Sequence, residues 1–227
     1  MSNNSVLIVK GCLKNYSWGK IDGLEEWSEK TNQEQAELWF GDHQAGKSIE
    51  IATNKEISST NSFPLLVKIL CANEPLSIQV HPDEQTAKTQ MPEFKLANNQ
   101  PVLVDKSGKD EMLLALTNFS AFAGIREINN RNNILKSIDD LVLAEVIKQK
   151  DFKGATLELF KITPNDVTKI NKKFISNLAK IDILDAEKIT FQKIFEKHPN
   201  DPGLLVCILM QFHELKTGES LHVSPGV

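Results

Sequence analysis

The spacing of apolar residues changes twice along this chain, and that change constrains the fold more than any other sequence feature. From about residue 127 to 198 the apolar residues recur at helical spacing, for example at Ile128, Ile134, Leu135 and Ile138. On either side the apolar residues form short runs bounded by Pro, Gly and Asn, as is typical of strands. The sequence therefore predicts a β domain that carries an inserted helical subdomain.

The predicted elements divide the chain into three parts. Asp83, Asp140, the segment 164–166 and Asp185 stand where helix N-caps are expected, and residues 83–91 are expected to form one helix. The predicted strands are 5–10, 64–71, 76–81, 111–117, 119–124 and 220–223. We expect a β domain over 1–126, a helical insertion over 127–200 and a return to the β domain over 201–227, which includes the apolar run 204–210. The expected fold class is mainly β with an α-helical insertion.

Composition excludes several classes of protein. The net charge is −4 and the Lys and Arg residues are scattered, which argues against a surface built to bind nucleic acid. No apolar run approaches the roughly 20 residues of a membrane-spanning helix, and the first ten residues lack the features of a secretion signal. Cys12, Cys71 and Cys207 are far apart and odd in number, so we expect reduced thiols in a cytoplasmic protein.

The segment Ser77-Ile78-Gln79-Val80-His81 is the most informative local feature. On a strand, alternate residues point to the same face, so Ser77, Gln79 and His81 would project together while Ile78 and Val80 pack on the other side. Three polar groups on one face are costly in a dry core. They are equally typical of a half-exposed strand and of a strand that lines a pocket or binds a metal ion.

Two further residues could complete a metal site. Glu111 opens a strand and offers a carboxylate, which together with an imidazole and an amide oxygen suits a zinc-type ion. His222 alternates with Leu221 and Val223 on a predicted strand and could face the same pocket as His81. Spacing alone does not bring Glu111 to His81, because thirty residues separate them.

Trp18 and Lys109 are candidates for substrate binding. Trp18 lies in a predicted loop beside Tyr16 and offers an apolar ring face with an N–H donor, which suits a sugar ring and equally suits an anchor for the loop. Lys109 lies two residues before Glu111 and could bind an anion, although lysines in such loops are most often solvated. No Gly-rich phosphate loop, Gly-x-Ser-x-Gly elbow or His-Glu-x-x-His motif is present.

Taken in order along the chain, these residues resemble the type I phosphomannose isomerases. The block from Glu74 to Pro82 is fairly specific, and the ordered set covers the whole chain, with the helical insertion matched in position and character. The matching blocks are Asn15–Gly19, Ala36–Gly41, Pro64–Leu70, Glu74–Pro82, Lys109–Met112 and Gly124–Arg126, with Gly218-Glu219 and Ser224–Val227 near the end.

The resemblance implies a cupin jelly-roll β-sandwich with a helical subdomain and one zinc ion per chain. It implies that Gln79, His81 and Glu111 bind the metal, and that Trp18, Ser77 and Lys109 contact the substrate, with Lys109 also catalytic. The implied reaction interconverts mannose 6-phosphate and fructose 6-phosphate through a cis-enediol. A small sugar phosphate is the expected partner, with no nucleic acid or membrane, and the expected state is a monomer. The implied role is in carbohydrate metabolism, including GDP-mannose biosynthesis.

Two departures from the family pattern keep an alternative open. The family's His-Lys-Pro-Glu turn reads Gly108-Lys109-Asp110-Glu111 here. The chain resembles the N-terminal portion of the family, and the fourth metal ligand is expected just beyond Val227, which reduces His222 to a weak substitute. The alternative function is a non-catalytic cupin-like protein that binds a sugar or a metal, or an inactive isomerase fragment. The cupin half of a bifunctional nucleotidyltransferase fits less well, because such cupins lack a long helical insertion.

Overall fold

The described residues of the computed structural model fall into two compact units. They are residues 6–57, 65–89, 95 and 107–226. One unit lies within Met1–Leu76 and the other within Ser77–Val227. Within the described ranges no helix is long and apolar enough to cross a membrane.

The first unit consists of short antiparallel strands. Its sheets have the orders β2-β5-β8, β1-β6-β7 and β3-β4. The strands are β1 (Val9–Lys10), β2 (Cys12–Lys14), β3 (Lys20–Ile21), β4 (Glu34–Gln35), β5 (Glu37–Phe40), β6 (Ile49–Glu50), β7 (Lys55–Glu56) and β8 (Val67–Leu70). The strand predicted over 64–71 is confirmed by β8 within its described residues. Of the strand predicted over 5–10, Val9 and Lys10 pair, opposite Glu50 and Ile49.

The second unit contains two antiparallel strand pairs and all seven described α-helices. The pairs are β9 (Glu111–Leu114) with β12 (Ser220–Val223), and β10 (Phe119–Ile125) with β11 (Met210–Leu215). The helices are α1 (Glu84–Thr89), α2 (Ile128–Ser137), α3 (Ala144–Lys148), α4 (Phe152–Leu159), α5 (Pro164–Asn177), α6 (Asp185–Lys197) and α7 (Gly203–Leu209), with single 3-10 turns at Leu141–Leu143 and Leu178–Lys180.

The hydrophobic core of this unit is built around α7. Leu204 to Leu209 are all buried, and they pack with buried residues of the other helices, among them Leu135, Phe174 and Phe191. The sequence predicts this run as part of the returning β domain, whereas the structure makes it a helix. A short run that is apolar on every side suits a buried strand and a buried helix equally well, so periodicity cannot separate them.

Arg126 connects β10 to the helices. Its Nε donates to the carbonyl oxygen of Ile208 over 2.9 Å, and its guanidinium forms an ion pair with Glu187 of α6. Its backbone N–H donates to the carbonyl oxygen of Leu209 at the end of α7. Both members of the ion pair are buried, with side chains 6% and 4% exposed. The block Gly124–Arg126 therefore has a structural role at the start of the helical region.

The helix caps follow the sequence at Asp83 and Asp140 but not at 164–166 or Asp185. Thr163 caps α5, and its hydroxyl oxygen accepts a hydrogen bond from the Asp166 N–H over 3.2 Å. Asp83 accepts a hydrogen bond from the Thr86 N–H over 2.7 Å, and Asp140 accepts one from the Val142 N–H over 3.1 Å. Asp185 is instead the first residue of α6, and Leu184 occupies the cap position without a side-chain hydrogen bond. The end of the helix predicted over 83–91 lies outside the described residues.

The strand predicted over 76–81 is wrong in the structure. Residues 75–83 belong to no strand, and Ile78 and Val80 are 40% and 64% exposed, so they do not pack as expected. Pro75 and Pro82 enclose the segment and have no N–H to donate to a neighbouring strand. Alternation of residue types describes the local pattern but does not provide a partner strand. The described chain is thus a mixed α and β structure made of short strands and a helical block.

Candidate metal and substrate site

His81 and Glu111 lie side by side in the second unit. The Nε2 atom of His81 is 3.0 Å from the Oε1 atom of Glu111, although thirty residues separate them in sequence. The His81 side chain is mostly buried, whereas the Glu111 side chain is more than half exposed. An imidazole beside a carboxylate at the edge of solvent is an arrangement that can bind a divalent cation.

The end of β12 positions both residues. Val223 of β12 lies opposite Glu111 of β9 in the antiparallel register. Three residues later, the Gly226 N–H donates to the carbonyl oxygen of His81 over 2.7 Å. Gly226 has a φ of +84°, a conformation that glycine adopts without the steric cost other residues pay. The end of β12 and the turn that follows it therefore hold the backbones of Glu111 and His81 near each other.

Gln79 and Ser77 are linked to each other. The amide Nε2 of Gln79 donates to the hydroxyl oxygen of Ser77 over 2.9 Å, and both residues are exposed. This hydrogen bond orients the amide of Gln79 and leaves its Oε1 as the atom that can bind a cation. The predicted pairing of Ser77 with Gln79 on one side of the segment agrees with this contact, even though the segment is not a strand.

The separation of His81 and Glu111 fits a zinc-type ion. Two ligand atoms of a tetrahedral zinc ion, each about 2.0–2.1 Å from the metal, lie about 3.3 Å apart. The observed 3.0 Å is close to that value, so the two side chains need only a small adjustment to share one ion. Within the described ranges no group of three or more His, Cys, Asp or Glu residues is placed to bind a metal. The contact described for Gln79 is with Ser77 and not with this pair.

His222 does not join this pair. In the β9–β12 register His222 lies opposite Met112, whereas Glu111 lies opposite Val223. Because neighbouring residues of a strand point to opposite faces, His222 and Glu111 lie on different faces of the sheet. The Nε2 atom of His222 is instead 3.3 Å from Asp110 Oδ1. This pairing also gives Asp110, which stands where the family pattern has Pro, a contact of its own.

Gly108, which stands where the family pattern has His, has a steric explanation. A Cβ atom at this position would lie 2.6 Å from the backbone nitrogen of Glu84, at the start of α1. Only glycine allows that close approach, so a histidine here would displace α1 or the loop. Lys109 follows directly and is half-buried. Lys109 is separated from Glu111 by a single residue in the sequence, Asp110.

Trp18 lies in the first unit. Its ring stacks on Tyr16 with 5.8 Å between ring centroids, and its carbonyl oxygen accepts hydrogen bonds from the N–H groups of Asn73 and Glu74. Trp18 is half-buried, whereas Tyr16 is 42% exposed. Burial raises the pKa of the Tyr16 hydroxyl above its ordinary value, with smaller contributions from Glu37 and Cys12. The loop is thus anchored and still offers an aromatic surface.

Sequence reasoning missed a charged cluster on the β2-β5-β8 sheet. The ammonium groups of Lys14 and Lys68 each lie 4.7 Å from the centroid of the buried Trp39 ring. Glu37 accepts a hydrogen bond from Trp39 Nε1 and lies 3.6 Å from Lys68 Nζ. Alternation along three neighbouring strands was the signal that could have found this cluster, because Lys14, Glu37, Trp39 and Lys68 share one face.

Comparisons with known proteins agree with the motifs. The family model for the catalytic domain of type I phosphomannose isomerase matches residues 49–128. Mannose-6-phosphate isomerase 1 of Arabidopsis thaliana is 26% identical over 93% of this chain and 59% of its own length. The chain spans about 60% of the length of the curated relatives that it matches.

Solved structures show the same fold. A crystal structure of a point mutant of phosphomannose isomerase from Salmonella typhimurium has a TM-score of 0.76 at 21% identity, covering 97% of this chain and 64% of that one. A structure of mannose 6-phosphate isomerase bound with zinc and yttrium has a TM-score of 0.72 at 21% identity, covering 96% and 63%. The resemblance to the type I phosphomannose isomerases that the sequence motifs predicted is therefore confirmed, and it extends over most of this chain.

Proposed function

We propose that this chain carries the metal-binding part of a cupin-type, zinc-dependent isomerase that interconverts mannose 6-phosphate and fructose 6-phosphate through a cis-enediol. The approach of His81 to Glu111 within 3.0 Å is the observation that carries this proposal. The family match over residues 49–128 supports it, because both side chains lie inside that range.

The proposed ligands of the zinc ion are Gln79, His81 and Glu111. Two neutral donors and one carboxylate leave such a centre with a net positive charge. When bound, zinc supplies a Lewis acid that stabilises negative charge on sugar oxygens. The hydrogen bond from Gln79 to Ser77 fixes the amide, so that its oxygen is available as a ligand.

Three other residues are proposed to bind the sugar phosphate. The Ser77 hydroxyl, which accepts from Gln79, keeps its own proton for a substrate oxygen. Lys109 is proposed as a catalytic residue, because a cation two residues from Glu111 can hold the negative charge that develops on the enediol oxygens. Trp18 offers an apolar ring face to the sugar.

The test combines metal analysis of the purified chain with a coupled isomerase assay that uses mannose 6-phosphate as the substrate. We expect one zinc per chain, measurable turnover, and a loss of turnover of at least about 100-fold in Glu111→Gln, because a neutral amide replaces the anionic ligand. Glu145→Gln, which alters an exposed carboxylate of α3, is the matched control and should leave both measurements unchanged.

The composition of the described site favours a second candidate, a non-catalytic protein that binds a metal or a sugar. His81 and Glu111 are adjacent, but among the described residues no group of three or more His, Cys, Asp or Glu is placed to bind a metal. Zinc binding that is lost in Glu111→Gln, without turnover in the wild type, would support this candidate. Neither zinc nor turnover would reject both.

A further inference from the structure

A polar cleft lies at the junction of α2, α6 and β11, and none of its lining residues belongs to the predicted metal site. Its volume is about 520 Å³, within the range of roughly 300–1,000 Å³ that small-molecule sites occupy. All of its lining residues come from the second unit.

Two buried charges line this cleft. Arg126 and Glu187 form an ion pair there, and both side chains are more than nine-tenths buried. A guanidinium has five N–H donors, and two side-chain hydrogen bonds of Arg126 are described, to Ile208 and to Glu187. Glu187 likewise uses Oε1 in that pair. Among the described residues, neither side chain has a buried nitrogen or oxygen atom without a hydrogen-bond partner, so the ion pair forms a polar floor to the cleft.

The walls of the cleft are rich in neutral hydrogen-bonding groups. Asn130 and Asn133 stand three residues apart on α2, so both amides lie on the same side of that helix, and Gln211 contributes a third amide from β11. The lining charges cancel, because Lys180 and Asp182 add one charge of each sign to the Arg126–Glu187 pair. A ligand with a strong net charge gains nothing from such a balance.

An apolar surface accompanies these polar groups. Ile134, Ile181 and Phe212 are buried core residues that also line the cleft. A hexose ring combines an apolar C–H face with hydroxyl groups that both donate and accept hydrogen bonds. Its two kinds of surface match the two kinds of lining.

We propose that this cleft binds an uncharged mono- or disaccharide through the amides of Asn130, Asn133 and Gln211 over the Arg126–Glu187 pair. The proposal does not depend on the isomerase function, because its residues are separate from Gln79, His81 and Glu111. The bound sugar would bridge the start of the helical region and β11, which stabilises the junction that Arg126 holds together.

The experiment measures binding of D-glucose and of maltose to the full chain by saturation-transfer NMR and by chemical shifts of the side-chain amides. We expect millimolar binding of at least one sugar, with shifts of the Asn133 and Gln211 amide signals. Asn133→Ala should weaken binding about fivefold, the size expected for one hydrogen bond. Asn129→Ala is the matched control, because Asn129 lies on the same helix, is exposed and does not line the cleft.

Each outcome decides the proposal. Absence of binding by both sugars overturns it, as does equal affinity in Asn133→Ala and Asn129→Ala. A His81→Ala variant separates the two sites: undiminished sugar binding supports the cleft, whereas its loss assigns the sugar to the metal site. Unfolding temperatures of both asparagine variants, expected to match the wild type, show that the comparison reports on binding and not on folding.

Discussion

At the scale of single residues, the face of a strand decides which histidine can bind a metal. His81 lies against Glu111, whereas His222 lies on the other face of the β9–β12 pair and contacts Asp110. The two histidines have the same chemistry and differ in what they face. A metal site at His81 and Glu111 therefore makes opposite predictions for them.

We expect His81→Ala to abolish stoichiometric zinc binding and His222→Ala to leave it within about twofold of the wild type. The reason is that His81 would lose a direct metal ligand, whereas His222 faces away from Glu111. Isothermal titration with zinc at neutral pH measures both. Equal losses in the two variants would contradict the assignment of the faces.

Cys207 makes stability depend on pH in the alkaline range. Burial raises the pKa of this thiol from its ordinary value near 9 to about 12, with the nearby Arg126 acting in the opposite direction. Between these two values the unfolded chain has lost the thiol proton while the folded chain keeps it, so stability falls as pH rises. Below pH 9 both states hold the proton and the thiol contributes no pH dependence.

The measurement compares the free energy of unfolding of the wild type and Cys207→Ala from pH 8 to pH 10.5. We expect the wild type to lose stability relative to the variant as pH rises above about 9. Parallel pH profiles would show that the thiol ionises as easily in the folded protein as in the unfolded one. The same burial predicts that Cys207 does not react with thiol reagents in the native state at pH 8.

At the scale of elements, sequence patterns predicted the helices better than the strands. The helical spacing of 127–198 is confirmed by α2 to α6, because each helix carries its own periodic signal and most start at recognisable caps. The segment 76–81 had the alternation of a strand, but a strand also needs a partner, and the described residues provide none. Non-local pairing is the information that a local pattern lacks.

Local sequence patterns also predicted the candidate site only in part. Its residue types were visible in the sequence, and Ser77 with Gln79 could be paired from local spacing alone. The contact between His81 and Glu111 depends on the β9–β12 register and on the hydrogen bond from Gly226. Neither follows from spacing, and only the family resemblance predicted the pair.

The ion pair between Arg126, which follows β10, and Glu187 of α6 should contribute measurably to the free energy of unfolding. Glu187→Gln removes the partner of a buried guanidinium, so we expect the free energy of unfolding to fall by about 3–5 kcal/mol. The control is Glu145→Gln, whose pair with Lys148 is exposed and should contribute less than about 1 kcal/mol. Urea unfolding of both variants tests this. A cost for Glu187→Gln as small as that of the control would mean that the buried pair does not hold the junction.

At the scale of the whole molecule, the proposed metal ligands all lie in one of the two units. Gln79, His81 and Glu111 belong to Ser77–Val227, which also contains the large hydrophobic cluster around α7. Trp18 belongs to Met1–Leu76. The proposed zinc site therefore involves the second unit alone.

Hydrogen exchange with and without zinc should reveal this division. We expect zinc to slow exchange in the segments around His81, Glu111 and Gly226, because binding to the folded state stabilises the unit that holds the ligands. Exchange in β2, β5 and β8 should remain unchanged. A matching slowdown in both units would contradict a metal site confined to the second.

The β9–β12 pair has a further consequence for how the protein behaves in solution. Met112 and Leu114 are exposed on the same face of β9, and within the described chain each of these two strands pairs only with the other. Within the described residues, the β9–β12 ribbon thus has unpaired strand edges and an exposed apolar face. Both features promote self-association, which increases with protein concentration. Charged substitutions such as Met112→Lys and Leu114→Glu are thus the natural first step toward a sample that stays dispersed at the concentrations spectroscopy requires.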